Sequence, residues 1–528
     1  MRDFNLPGRS PVHGVEAMVA TQNPLATHAG LEMLARGGNA VDAAVAAVAV
    51  LSVVEPNQTG IGGDCFAMIA PEGRVPLVAY NGSGRAPAGA DPAALRAEGL
   101  TGIPETSPHA VTVPGAVEAW CRLVAEHGRA GIDAVLARAI GYAETGYPVH
   151  SRVAVDWRVS VPKLARDPGA AAVFLPRGGA PGVGEIHRQP RLARTLRRIA
   201  AEGASAFYTG AVAEDIVGRL RALGGAHTLD DFAAAAGDYV TPLEGTYCGA
   251  RVFQMPPNNQ GVTALVMLGI LAGLDAAGAA PLSVERLHAE IEAARLAYAE
   301  RDRWVSDPAS AAGVVDRLLD PDTAARLRGR FDPGRAADLG RERPRVKSDT
   351  VYVSVVDRDR TCVSLINSLF HDFGTGIMAP ESGVLLQSRG VGFTLEAGHP
   401  NELGPNKRPL HTIMPGMLAE GERAVMPFGV MGGEFQPMGH VHFLTNLLDF
   451  GLDIQEALDL ARVFHDGTAV RVETGVPEAA RAGLVRLGHR VAPAGEPHGG
   501  GQAVRIDWRE GVLTGGSDPR MDGCAMGI

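Results

Sequence analysis

Apolar residues recur at helical spacing from Pro24 to Ala35, where Leu25, Ala29, Leu31 and Leu34 share one side and Gly37 with Gly38 end the run. Asn39 can cap the next predicted helix, Ala40 to Val54, whose alanine-dense pattern suits close packing. Its apolar run is shorter than the roughly 20 residues needed to span a bilayer, so a buried core helix is expected. Ser283 to Ala299 repeats the helical spacing at Leu287, Ile291, Ala294 and Tyr298. Strand patterns appear at Cys65 to Ile69, Val75 to Tyr80, Thr350 to Asp357 and Thr361 to Leu369. The last two flank a polar turn, which predicts a hairpin. With a two-residue loop at Arg358 and Asp359, Thr350 falls opposite Asn367 and beside Ser368. A slip of one residue still leaves a hydroxyl of the partner strand within reach.

Composition narrows the class. The 528 residues allow two or more domains by length alone, although large α/β layers also form single units. A formal net charge of −10, with no basic block, argues against nucleic acid or an anionic membrane as partner and favours a soluble enzyme. Five scattered cysteines without a CxxC pair suggest neither a disulfide framework nor a zinc site. His440 and His442 have no HExxH or carboxylate cluster beside them, so no metal and no cofactor is expected. A GxSxG nucleophile elbow is missing. Thr59 to Asp64, TGIGGD, lacks nucleotide-loop spacing and precedes a strand, so its glycines are read as sites of tight backbone packing. The first twenty residues contain no continuous apolar segment of the secretory type, which predicts a cytoplasmic protein. From Asp307 to Lys347 the chain is rich in proline, arginine and aspartate and is expected to be mobile.

The stretch Lys347 to Gly376, KSDTVYVSVVDRDRTCVSLINSLFHDFGTG, resembles the processing site of the gamma-glutamyltransferase family. These are N-terminal-nucleophile hydrolases in which a proenzyme cuts itself before a threonine. Asn23 to Asp64, His109 to Trp120, Glu202 to Gly210, Thr228 to Phe232, KRP at Lys407 to Pro409 and GVMGGEFQ around Gly432 extend the likeness over most of the chain. The resemblance implies an α/β fold, a four-layer αββα sandwich built jointly by two self-cleaved subunits, residues 1–349 and 350–528, forming one compact domain. It implies cleavage between Asp349 and Thr350. The chemistry of that cut is clear: an internal threonine hydroxyl has no attached base, whereas an N-terminal threonine carries an α-amine of pKa about 7.7–8.0 beside its hydroxyl. It further implies that Ser368 tunes that amine and that Gly432 and Gly433 donate backbone N–H groups to the oxyanion.

Departures from the family pattern bear on substrate. Gamma-glutamyl enzymes hold the substrate's α-amino group with an acid and an amide, and its carboxylate with an arginine and two serines. Here the segment after LLQS reads Arg389, Gly390, Val391, Gly392, Phe393, with no carboxylate. Phe370 stands at the amide position, His411 and Thr412 replace the serine pair, and Arg85 stands where the carboxylate-holding arginine is expected. An ammonium group would lack a partner, and an unpaired buried charge is costly. The expected substrate is therefore a small anionic amide, oxamate-like or glutaryl-type. Phe393 to Leu410 is short where typical members carry a long covering segment, as in the branch that includes oxamate amidohydrolase and the glutathione-hydrolase-like proteins. Open alternatives are a gamma-glutamyl hydrolase or transferase acting on glutathione and an unprocessed, non-catalytic binding protein. The partners expected are the amide and the two subunits of one precursor, with a dimer of heterodimers left open; no nucleic acid or membrane is expected. Whether Arg85 and Arg389 converge on one carboxylate is not legible.

Overall fold

The computed structural model describes residues 8–274, 280–340, 342–345, 348 and 350–528. Two seven-stranded antiparallel sheets form its centre. The first has the order Cys524–Gly527, Met18–Thr21, Val351–Val356, Cys362–Ser368, Asp64–Ala70, Val78–Gly82, Asp238–Val240. The second runs Val12–Gly14, Val512–Ser517, Gly500–Asp507, Arg423–Met431, Gly416–Glu420, Ala250–Gln254, Leu243–Tyr247. Met18, Phe66, Tyr352 and Ile366 of the first sheet pack with Phe253, Met417, Val504 and Leu513 of the second. Helices cover both outer faces, giving the αββα order: Pro24–Ala35 and Ala40–Val54 on the first sheet, Gly261–Leu271, Val284–Trp304 and Gln436–Leu448 on the second.

The strand Val351–Val356 shows how the sequence writes this architecture. Val351, Val353 and Val355 face the helical layer, while Tyr352 and Val356 face the other sheet. With both faces covered, every residue of the strand is buried, and the one small polar side chain, Ser354, donates to Pro427 O at 2.9 Å. The Ala40–Val54 helix is buried along its whole length, and Asn39 closes a capping box with Asp42 at its start.

Two expectations need correction. The hairpin register is shifted by one residue: Val351 pairs with Asn367 and Val356 with Cys362. The cause is a longer loop. Arg360 adopts a positive φ of 64°, and the Asp357 carboxylate accepts the N–H groups of Asp359 and Thr361, which fits a three-residue connection. The described residues from 307 to 345 are also folded, where a mobile segment is expected. They form helices Val314–Leu319 and Pro321–Arg328, with Leu318 and Leu327 buried, and Glu342 pairs with Arg295 at 2.6 Å. Charged residues that look solvated in the sequence are here matched to the long helix Val284–Trp304.

Candidate active site

The shifted register places Thr350 directly before the paired strand and level with Ser368. The Thr350 hydroxyl donates to Ser368 Oγ at 3.2 Å, and both residues are fully buried. Ser368 Oγ also accepts the backbone N–H of Phe370 at 2.8 Å, which fixes the chain as it leaves the strand with Phe370 at a φ of 80°. The expected cleavage residue Asp349 lies outside the described residues.

Gly432 and Gly433 form the turn between strand Arg423–Met431 and the helix Gln436–Leu448, with positive φ values of 125° and 59°. Glycine is required there on two counts. Side chains rarely adopt such backbone angles, and a Cβ on Gly433 would collide with Ser348 Oγ. The chain two residues upstream of Thr350 therefore rests on the glycine turn. Gln260 locks this turn, donating to Gly433 O at 3.1 Å and to Thr412 O at 2.8 Å while accepting from Arg301 at 2.7 Å. Arg301 also pairs with Glu434, and the Tyr298 hydroxyl donates to Glu434 O.

Arg389 is fully buried. Its guanidinium carbon lies 4.0 Å from the centre of the Phe370 ring, and one NH group donates to Thr412 Oγ1 at 2.9 Å. The remaining edge, Nε and the second NH2, has no hydrogen-bond partner among the described residues. Burial pushes this guanidinium's pKa down to about 9, opposed by the charge of Asp64. The contacts close a loop around the nucleophile: Thr350, Ser368, Phe370, Arg389, Thr412, Gln260, Gly433 and back to Ser348.

His411 points elsewhere. Its Nε2 donates to Asp64 Oδ2 at 3.0 Å, and its Nδ1 accepts the N–H of Ile413 at 3.4 Å, so both ring nitrogens are engaged. Burial and the neighbouring Arg389 push its pKa down to about 3, which keeps the ring neutral. Arg85 is the outlier. Its side chain is 44% exposed, sits near Asp238 and Asp307, and donates to Asn406 O at 3.1 Å. It lines a cavity of about 410 Å³ whose walls do not include Arg389 or Thr350.

Sequence reading passed over Gln260 and Asp64. Asp64 was within view as the end of TGIGGD, and the glycines there do serve close packing: a Cβ on Gly62 or Gly63 would strike Leu385 O or Ser368 O. The carboxylate itself accepts from Gly84 N, Gly115 N and Gln387 Nε2 on Oδ1. Gln260 closes the motif MPPNNQG ahead of a helix, and the motif alone carries no signal for its reach to Gly433. A further cluster, His288, Glu292 and His489, brings ligand-type atoms within 4.8 Å of one another. It is satisfied internally: the two imidazoles share a 2.8 Å hydrogen bond and Glu292 pairs with Arg295.

The description of the gamma-glutamyltranspeptidase family matches residues 26–528. The chain belongs to that family. It is 38% identical to the glutathione hydrolase-like YwrD proenzyme of Bacillus subtilis, covering 98% of this chain and 99% of the relative. Identity to the oxamate amidohydrolase proenzyme of Klebsiella pneumoniae is 34%, over 97% and 98% of the two chains. The fold matches cephalosporin acylase from Bacillus halodurans with a TM-score of 0.93 and 37% identity, over 100% and 99% of the chains. This member of the gamma-glutamyltranspeptidase family is accordingly an N-terminal-nucleophile hydrolase with the αββα fold. Among the described residues no helix is long and apolar enough to cross a membrane.

Proposed function

We propose that the protein is a self-processing amidohydrolase that cleaves a small anionic amide through an acyl-enzyme on Thr350. Cleavage between Asp349 and Thr350 frees the α-amine of Thr350. That amine takes the hydroxyl proton as Oγ1 attacks the amide carbon. The tetrahedral oxyanion is met by the N–H groups of Gly432 and Gly433, and its collapse expels the amine, which leaves with the proton. Water then attacks the ester, returning a free acid and the threonine. Residues 1–349 and 350–528 would be the two subunits of the mature enzyme.

The observation that carries the substrate class is the open edge of Arg389 in the ring of contacts that includes Thr350. A buried guanidinium with two donors unmet is completed by a carboxylate, which can accept both in parallel. Phe370 supplies an apolar and cation-stacking wall, and residues 389–393 offer no carboxylate to an ammonium group. The oxamate amidohydrolase relative is in keeping with this reading. The glutathione hydrolase-like relative favours a second one, action on gamma-glutamyl amides. Rates on a glutaryl amide and the matching gamma-glutamyl amide separate the two. The anionic-amide reading expects the glutaryl compound to be turned over at least as fast; a clear preference for the gamma-glutamyl compound would overturn it.

A further inference from the structure

Arg389 raises a question about its own surroundings. The buried carboxylate of Asp64, tied to Gln387 two residues before Arg389, is hydrogen-bonded by the neutral His411 ring and pairs with no arginine among the described residues. An unpaired guanidinium beside a carboxylate ordinarily closes on it, since the attraction grows as water is excluded. Here four other donors already occupy the carboxylate. Gly84 N, Gly115 N and Gln387 Nε2 occupy Oδ1 at 3.0, 3.1 and 2.9 Å, and His411 Nε2 occupies Oδ2 at 3.0 Å. The His411 ring is held by an edge-on contact with Phe66, centroids 4.8 Å apart, so it has little freedom to turn away.

Two of these donors belong to the segments that carry the anion site. Gln387 lies two residues before Arg389, and His411 directly precedes Thr412, the hydroxyl that receives Arg389. Asp64 thus ties both segments to one point and lends its charge through space.

We propose that Asp64 and His411 are positioning residues that guard the anion site, His411 holding the Asp64 carboxylate away from Arg389 so that the open edge stays available to the substrate's carboxylate. The inference rests on the reading that Arg389 binds that carboxylate. Neither guard touches substrate. Removing the His411 N–H would free Asp64 Oδ2 to turn to Arg389, so the enzyme would be inhibited by its own carboxylate.

The test uses the self-cleaved full-length enzyme and two amides of equal chain length, one glutaryl and one with a terminal methyl in place of the carboxylate. In His411→Phe the ratio of KM for the anionic amide to KM for the neutral one should rise about tenfold or more, with kcat changing less. Adding Asp64→Asn, which removes the intruding charge, should bring that ratio back toward its starting value. No change in the ratio for His411→Phe, or a rise that persists in the double variant, would overturn the proposal. His411→Leu serves as a second apolar replacement; failure of both to mature into two chains also counts against a guarding role and for a purely structural one. Arg389→Gln isolates the underlying reading. If it leaves the KM ratio unchanged, the carboxylate is bound elsewhere, whatever the His411 variants do.

Discussion

A hydroxyl, two glycines and one arginine carry most of the chemistry, and each is constrained differently. Thr350 is held by Ser368, whereas Gly433 is held by what it lacks. Replacing Gly433 with Ala would force a side chain onto a φ of 59° and into Ser348. We expect Gly433→Ala to slow self-cleavage about a hundredfold or more, since it both strains the turn and displaces an oxyanion donor. A time course of the uncut chain on a denaturing gel reads this directly, and an unchanged rate would remove the glycine turn from the processing site. Thr350, Ser368 and the glycine pair were legible because each sits inside a contiguous motif. Arg389 and Phe370 were visible as departures, but their stacking is a contact between distant turns. The hydrogen bonds of Asp64 go to backbone groups of two glycine loops, to Gln387 and to His411, partners that no local pattern announces.

At the scale of elements, the segment that follows the Ala40–Val54 helix braces the loop leaving Ser368. Asn57 O accepts Phe373 N at 2.7 Å, and Thr59 Oγ1 accepts from Asn367 at 2.8 Å. Glu55, at the end of that helix, is buried and receives Gln22 Nε2 at 2.7 Å. Burial pushes its carboxyl up to about 8 from an ordinary 4.5. Because the folded value lies above the unfolded one, the folded chain binds the extra proton. Its stability is therefore fully present below pH 4.5 and is lost as pH rises toward about 8. Glu55→Gln removes this dependence. Thermal denaturation at pH 5.5 and pH 9, about one unit outside the window on the alkaline side, should show wild type losing several degrees more than the variant; parallel losses would contradict it. The two helices before this segment were readable from spacing and caps, but the hairpin register was not. It depended on whether Asp357 could bridge two backbone N–H groups and on Arg360 entering the left-handed region, a choice made by side-chain hydrogen bonds within the turn.

Over the whole molecule, residues on both sides of position 350 interleave. The strands Val351–Val356 and Cys362–Ser368 lie between Met18–Thr21 and Asp64–Ala70, and the C-terminal strand Cys524–Gly527 pairs with Met18–Thr21. Cutting the chain at one peptide bond leaves these ladders and the apolar layer between the sheets in place. The two pieces should co-elute as one species in size exclusion and separate only in denaturant; dissociation in native buffer would show that the sheets do not hold them. The layered fold was expected from the family likeness. The folded approach to Thr350 was not, because arginines such as Arg343 and Arg345 find partners, Glu434 and His465 O, far from them in sequence.

The chemistry begins when one peptide bond opens to give Thr350 a free amine. Intact mass and N-terminal sequencing of the mature protein test it most directly. We expect two chains, residues 1–349 and 350–528, the second beginning Thr350, Val351, Tyr352. An active enzyme that remains a single chain, or whose second chain begins at another residue, would contradict it.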